Sequence, residues 1–473
     1  MGIVGAICWA CQLKMMKEGF EEKNMPLIKM ISLVIIAVLC LLASYFFYEH
    51  YFSVRVDLDN CVQFYVDKGF FSGVVLVAKD GKVLLSKAYG MANVELDVPN
   101  KSNTKFRIGS ITKSFTAMAI LQLQEMGLLN LQDPLSKYIS DYPNGDEITI
   151  SHLLRHTSGI PHDVPDYKNL KIKSHTLEER IALFKNLPLA FKPGEKEFYS
   201  DSGYILLTYI IEKVSGKKYE EFLQEHIFDP LDMKDTGYDS YKRIIKNRAL
   251  GYIVDGELSN ADYINMSYES GCGALYSTVE DLYKWDRALS SEKLISKKNW
   301  EEISLLPDSI DMGWGTKYTG GYKWGTHGGL VSGFITFIGR YVNDDACIIV
   351  LSNLVNASLF KIVKNLELIL FEQEPECLKK HITISINPKT YDQYIGRYIT
   401  KDGTTTFIVT KDHDRLFIEE VGDFKYEVFP ESETEFFIKQ MDVSYSFEKD
   451  KDGNIQKLIE YGTIGNTIAE KEK

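Results

Sequence analysis

The chain has 473 residues, 45% of them hydrophobic and 25% charged, which gives material for about two to four domains and sets it apart from disordered or fibrous chains. Lys and Arg number 54 against 66 Asp and Glu; the net charge of −12 and the lack of a basic stripe exclude a nucleic-acid-binding footprint. Seven cysteines, odd in number and unevenly spaced, exclude a disulfide framework. Cys8 and Cys11 form a C-x-x-C with no matching pair, and Cys347, inside the apolar run Ala346 to Leu351, reads as a small core residue.

The run from Met30 to Tyr48 is uncharged, and as a helix it would span about 28 Å, close to one hydrocarbon core. It ends in Tyr45, Phe46, Phe47 and Tyr48, with Tyr51 and Phe52 just beyond, as expected at a membrane interface. Lys14, Lys17, Lys23 and Lys29 precede it, so residues 1–26 read as a cytoplasmic segment, 27–48 as a transmembrane anchor, and the rest as extracytoplasmic. A cleaved signal peptide is the competing reading, but Ala43-Ser44-Tyr45 is a poor small-x-small cleavage site. Met25 is an alternative start, because the first 24 residues carry no usable pattern.

Beyond the anchor, Val54 to Val66 has apolar residues at helical spacing. Two β-rich runs, Gly73–Ala78 and Lys82–Ala88, flank Asp80-Gly81, a strong hairpin signal. Next comes Phe106 to Gly127, where Ala117 to Leu121 is apolar on every side and Gly127 is a natural stop, predicting a helix buried in the middle of a domain. Leu131 to Leu289 reads mostly as helices broken by loops, including Leu206–Val214; Met312 to Asn353 returns to strands, and Val355–Phe371 predicts a closing helix. Strands at both ends with helices between them predict one antiparallel sheet with an inserted helical part, over residues 53–375. After Pro375 seven short β-rich runs, from Tyr394–Thr400 to Ile455–Tyr461, are separated by turn signals such as Asp402-Gly403 and Asp452-Gly453, predicting an all-β, barrel-like domain over 381–473.

The chemistry begins at Ser110 and Lys113, an S-x-x-K. On a helix starting at Ser110 the two lie a turn apart on one face, so the amine reaches the hydroxyl, and the N–H groups of the first turn favour an oxyanion there. A lysine helps a serine lose its proton only if its own pKa falls, and burial is expected to lower it. Tyr199-Ser200-Asp201 and His327-Gly328-Gly329 follow later in the chain. In that order and at those distances, the three motifs resemble the penicillin-recognising serine hydrolases, in particular the class C β-lactamase-related group. The resemblance covers about residues 68–372 and includes Ser158-Gly159, Val214-Ser215-Gly216, Pro230-Leu231-Asp232-Met233 and Ser277-Thr278-Val279-Glu280-Asp281-Leu282.

That resemblance implies a β-lactamase/transpeptidase-like α/β (α+β) fold, a C-terminal lipocalin-like domain, and acyl transfer through an ester on Ser110. Lys113 and Tyr199 share the proton work, with Lys113 lowering the phenol's pKa. The N–H groups of Ser110 and Leu330 form the oxyanion hole, and Asp201, His327, Gly328 and Gly329 contact substrate. No cofactor and no metal is implied. Two residues depart from the family's pattern. Asp201 stands where asparagine is common, disfavouring anionic substrates and favouring an amine; His327 stands where lysine usually holds a carboxylate. Both weaken a penicillin or a terminal D-Ala-D-Ala carboxylate as substrate and fit esterase and D-aminopeptidase-like relatives better. Small esters, D-amino-acid peptides or amides from cell-wall material, and β-lactams stay open as substrates. A catalytically silent protein using the same cleft to bind a wall fragment or partner is the rival reading. His152 and His156, spaced i,i+4, lack a glutamate base and a third ligand for zinc. Taken singly, Tyr199 is an ordinary core tyrosine and His327 an ordinary loop histidine; their company gives them meaning.

Overall fold

The computed structural model describes residues 35–36, 53–255, 257–296, 310–311, 313–319, 322–375, 382–403, 405–421, 425–439, 443–461 and 466–472. The cytoplasmic segment 1–26 lies outside these, as does the anchor 27–48 apart from Ile35 and Ile36, which are helical. Among the described residues no helix is long and apolar enough to cross a membrane. The chain divides into two compact units, Met1–Leu58 and Asp59–Lys473, and the second holds everything that follows.

A seven-stranded antiparallel sheet runs, edge to edge, through Ile310–Asp311, Trp314–Thr319, Tyr322–Val331, Phe334–Tyr341, Ala346–Ser352, Gly73–Lys79 and Lys82–Tyr89. The N-terminal hairpin thus joins a sheet otherwise built from the far end of the domain, through pairs such as Val75 with Val350. Every residue of Ala346–Ser352 is buried, which explains its unbroken apolar run: a central strand covered on both faces has no polar face to alternate with. Helices Val279–Leu289 and Leu359–Leu370 pack on this sheet. Asp80 and Gly81 both take positive φ, 51° and 68°, as the tight hairpin requires.

Between the two sets of strands lies the helical part. Its centre is Thr112–Glu125, preceded by a 3-10 turn, Gly109–Ile111, and buried from Thr112 to Leu123. Phe115 on this helix stacks on Trp285, ring centroids 4.1 Å apart, a contact worth about 0.5–1.5 kcal/mol beyond its buried area. The helix Asp201–Ser215 packs beside it and ends at Gly216, whose φ of 69° is the left-handed cap expected of glycine. This region also holds short strands that helical periodicity does not announce, Gly237–Tyr238, Tyr252–Asp255, Glu257–Asn260 and Leu275–Ser277.

The C-terminal part is a closed barrel of eight antiparallel strands in sequential order. Seven coincide with the β-rich runs of the sequence. The eighth, Asn466–Lys471, is mostly polar and closes the barrel by pairing with Gly396–Thr400, Tyr398 opposite Lys471. Tyr398, Phe407, Leu416, Phe436, Phe447 and Leu458 fill the interior, so the barrel is a packed core.

Candidate active site

Ser110 sits in the 3-10 turn, two residues before the α-helix that carries Lys113, and Lys113 Nζ donates to Ser110 Oγ at 3.1 Å. The ammonium is fully buried and has two further partners, the carbonyl of Cys272 at 2.9 Å and the Asp201 carboxylate at 2.6 Å. Asp201 is the first residue of its helix, and Ser200 caps that helix by accepting from Gly203 N–H at 3.1 Å. Tyr199, just outside the cap, has its hydroxyl within hydrogen-bonding reach of Lys113 and Ser110, and Lys113 Nζ stands 4.8 Å from its ring centre. The S-x-x-K and Y-x-D motifs are therefore one cluster.

Charge in this cluster differs from the expectation drawn from S-x-x-K alone. Burial pulls the Lys113 pKa down, but the charges of Asp201, Tyr199 and Cys272 and the hydrogen bond to Asp201 outweigh it, and Lys113 stays well above the ordinary lysine value. Asp201, opposed by burial, is held below the ordinary carboxylate range by Lys113 and His162. Tyr199 is raised by burial; Lys113 acts downward on it as expected, without prevailing. The resting site is an ammonium–carboxylate pair beside a protonated phenol, and the aspartate in place of asparagine produces that state.

The third motif lies on the strand Tyr322–Val331, which packs against the Ser110 turn. Two glycines allow this approach. A Cβ on Gly329 would lie 2.0 Å from the Ile108 carbonyl oxygen, and one on Gly109, where φ is +51°, would lie 2.8 Å from the Leu330 nitrogen. Thr336 on the neighbouring strand donates to Ile108 O at 3.0 Å and ties turn to sheet. The amides of Ser110 and Leu330 thus belong to adjoining backbones, while the Leu330 side chain is exposed. Gly328 pairs with Phe337 in the same strand pair. His327 is buried, and its Nδ1–H donates to the Gly328 carbonyl at 2.6 Å. Burial, together with the Lys113 charge, pushes His327 down to about 4, so it is neutral at pH 7.

Four residues join the site that its motifs did not name. Glu269, Asp201 and Cys272 bring one potential ligand atom each within 4.8 Å of one another. Cys272 Sγ lies 3.6 Å from a Glu269 carboxylate oxygen, and Glu269 makes no ion pair among the described residues. Burial, then the Asp201 charge, pushes Glu269 up to about 7. With Lys113 already seated on Asp201 and the Cys272 thiol driven up by burial, this donor set suits an ammonium better than a thiolate-bound metal. His162 Nε2 stands 3.6 Å from the outer oxygen of Asp201. His156 is buried against Tyr199; the helix ahead of it ends at Leu154, so His152 and His156 do not share a helical face. In the sequence Glu269 stands among small residues, Ser270-Gly271-Cys272-Gly273, with no motif to mark it. The histidines adjoin Ser158-Gly159, the one local signal that could have led to them.

The Beta-lactamase family matches residues 58–367, and a domain of unknown function, DUF3471, matches residues 380–467. Penicillin-binding protein 4* of Bacillus subtilis is 32% identical over 430 residues, 84% of this chain and 94% of that protein. An octameric penicillin-binding protein homologue from Pyrococcus abyssi superposes with a TM-score of 0.63 at 28% identity, covering 87% of this chain and 99% of that one. D-amino acid amidase from Ochrobactrum anthropi SV3, complexed with L-phenylalanine, superposes with a TM-score of 0.56 at 26% identity, covering 63% and 91%. The chain belongs to the β-lactamase family of serine hydrolases.

Proposed function

We propose that this is a membrane-anchored, extracytoplasmic hydrolase of the class C β-lactamase-related group. In this reading it cleaves D-amino-acid amides or peptides, and simple esters, in preference to β-lactams. The observation that carries the substrate preference is the pair of carboxylates, Asp201 on Lys113 and Glu269 within 4.8 Å of Asp201, with a neutral His327 where a fixed cation would bind a substrate carboxylate. A substrate ammonium next to the scissile carbonyl supplies the positive charge that Glu269 lacks. The likeness to a D-amino acid amidase supports the same class.

Ser110 Oγ attacks the carbonyl carbon, and the oxygen's new charge is met by the Ser110 and Leu330 N–H groups. The Ser110 proton passes to the Tyr199 oxygen as the phenol gives its own proton to the leaving nitrogen, so Tyr199 ends unchanged. Lys113 stays charged on Asp201 throughout and steadies the phenol oxygen. Water then attacks the ester, and its proton returns to Ser110 Oγ through the same phenol. The test is hydrolysis by the full-length protein of D-phenylalanine amide, its N-acetyl derivative and a penicillin. The free amine is expected to have the higher kcat/KM by about tenfold or more, the worth of one charge-assisted contact. An N-acetyl substrate cleaved as well as the free amine would defeat the amine preference, and rapid penicillin turnover would make the chain a β-lactamase.

A further inference from the structure

The loop His156–His162 grips the backbone that carries the Y-x-D motif at every second residue. Phe198 N–H donates to the His156 carbonyl at 2.8 Å, and Ser200 N–H donates to His156 Nδ1 at 2.9 Å. Ser200 Oγ donates to the Pro161 carbonyl at 3.1 Å, and Ser202 N–H and Oγ both donate to the His162 carbonyl at 3.1 Å. The residues between, Tyr199 and Asp201, are the ones that face Lys113. His156 is the hub of this grip. It is 1% exposed and takes a positive φ of 56°, a cost that a non-glycine residue bears only when its surroundings fix it. Its ring stacks on Tyr199 at 4.5 Å and 26°, and on Tyr204 at 5.1 Å and 30°.

Because Nδ1 accepts the Ser200 amide, the proton of the neutral ring is on Nε2, which has no hydrogen-bond partner among the described residues. A ring that needed only to fill space would be phenyl or aliphatic; this one spends a buried N–H to keep an acceptor at Nδ1. We propose that His156 is the positioning residue for Tyr199: its face sets the plane of the phenol, and its Nδ1 fixes the amide of the next residue. The phenol oxygen is thereby held between Ser110 and Lys113. Burial and the Lys113 charge, which push His156 down to about 3, keep the ring neutral, so Nδ1 stays available as acceptor. This inference rests on the serine-hydrolase reading above.

Two substitutions separate the halves of that role. His156→Phe keeps the stack and loses the acceptor. His156→Asn places an oxygen where Nδ1 was, tolerates the left-handed backbone, and loses the stack. The readout is the acylation of Ser110 by a fluorophosphonate, with the maximal rate resolved from the half-saturating concentration, alongside the melting temperature. For folded His156→Phe the maximal rate is expected to fall about 100-fold with half-saturation within about threefold, and His156→Asn to recover about tenfold of that loss. A purely structural role would instead lower the fraction of molecules that label, and leave the rate of those that do unchanged. Folded His156→Phe that acylates within about threefold of native overturns the proposal. If neither variant folds, the histidine nitrogen resonances of the native protein decide. A neutral ring protonated on Nε2 from pH 5 to 8 agrees with the role; protonation at Nδ1, or titration near the ordinary value of about 6.5, overturns it. Native protein that takes no label overturns the hydrolase reading; native and variant labelling alike overturn this inference alone.

Discussion

The interior around Ser110 and the interior of the C-terminal barrel are both buried, and they bury different things. The barrel encloses Phe407, Phe436, Phe447 and Leu458, and two of its buried tyrosines donate to backbone carbonyls of the same domain, Tyr398 to Tyr394 at 2.7 Å and Tyr394 to Glu433. Around Ser110 a buried ammonium, a thiol and two neutral imidazoles sit with two half-buried carboxylates and a half-buried phenol. Burial in the barrel converts apolar area into stability. Near Ser110 it moves proton affinities. Substitutions in the two places should therefore fail in different ways.

The largest expected effect comes from the close approach of strand and turn. Gly329→Ala must push the strand from Ile108, separating the Leu330 amide from Ser110. Acylation is expected to slow about 100- to 1000-fold, the usual effect of losing one oxyanion donor, with the protein still folded by circular dichroism. Phe436→Ala in the barrel is the counterpart. It should cost about 3–5 kcal/mol in chemical denaturation and leave the acylation rate per folded molecule unchanged. A loss of rate there without a loss of stability would break the contrast.

Asp201→Asn sharpens it. The Asp201 charge holds Lys113 up, so its removal lowers the Lys113 pKa, and any limb of the acylation pH–rate profile that follows Lys113 deprotonation should move about 1 to 3 pH units toward acid. The smallest effect is on stability at Glu269. Its carboxyl is raised from 4.5 to about 7, so the folded state binds more protons than the unfolded state in that interval, and stability falls as pH rises through it. Glu269→Gln should leave the melting temperature unchanged below pH 4.5 and raise it by about 2–4 °C at pH 8.

The same contrast governs what could be read from sequence. Gly73–Lys79, the helix after Ser110, and seven of the barrel strands were legible because each has one rule, alternation or all-round apolarity, with a turn residue at its end. Asn466–Lys471 was not, because only Ile468 and Ala469 in it are apolar; pairing with Ile455–Tyr461 and Gly396–Thr400, and not its own composition, places it in the barrel. In the site, Ser110, Lys113, Tyr199, Asp201 and the His327 strand were legible as spaced motifs. Glu269, Cys272, His156 and His162 become visible only when the helical part folds over Lys113. The expectation that burial would leave Lys113 with a low pKa failed chiefly because a carboxylate from another motif stands 2.6 Å away.

The central claim is that Ser110 is an activated nucleophile in this charged setting. Intact-mass spectrometry of the full-length protein after incubation with a fluorophosphonate, with Ser110→Ala as control, tests it directly. A single adduct on the native protein, absent from Ser110→Ala, is the expected result. No adduct on folded native protein would contradict the account and make the chain a binding protein on a hydrolase fold.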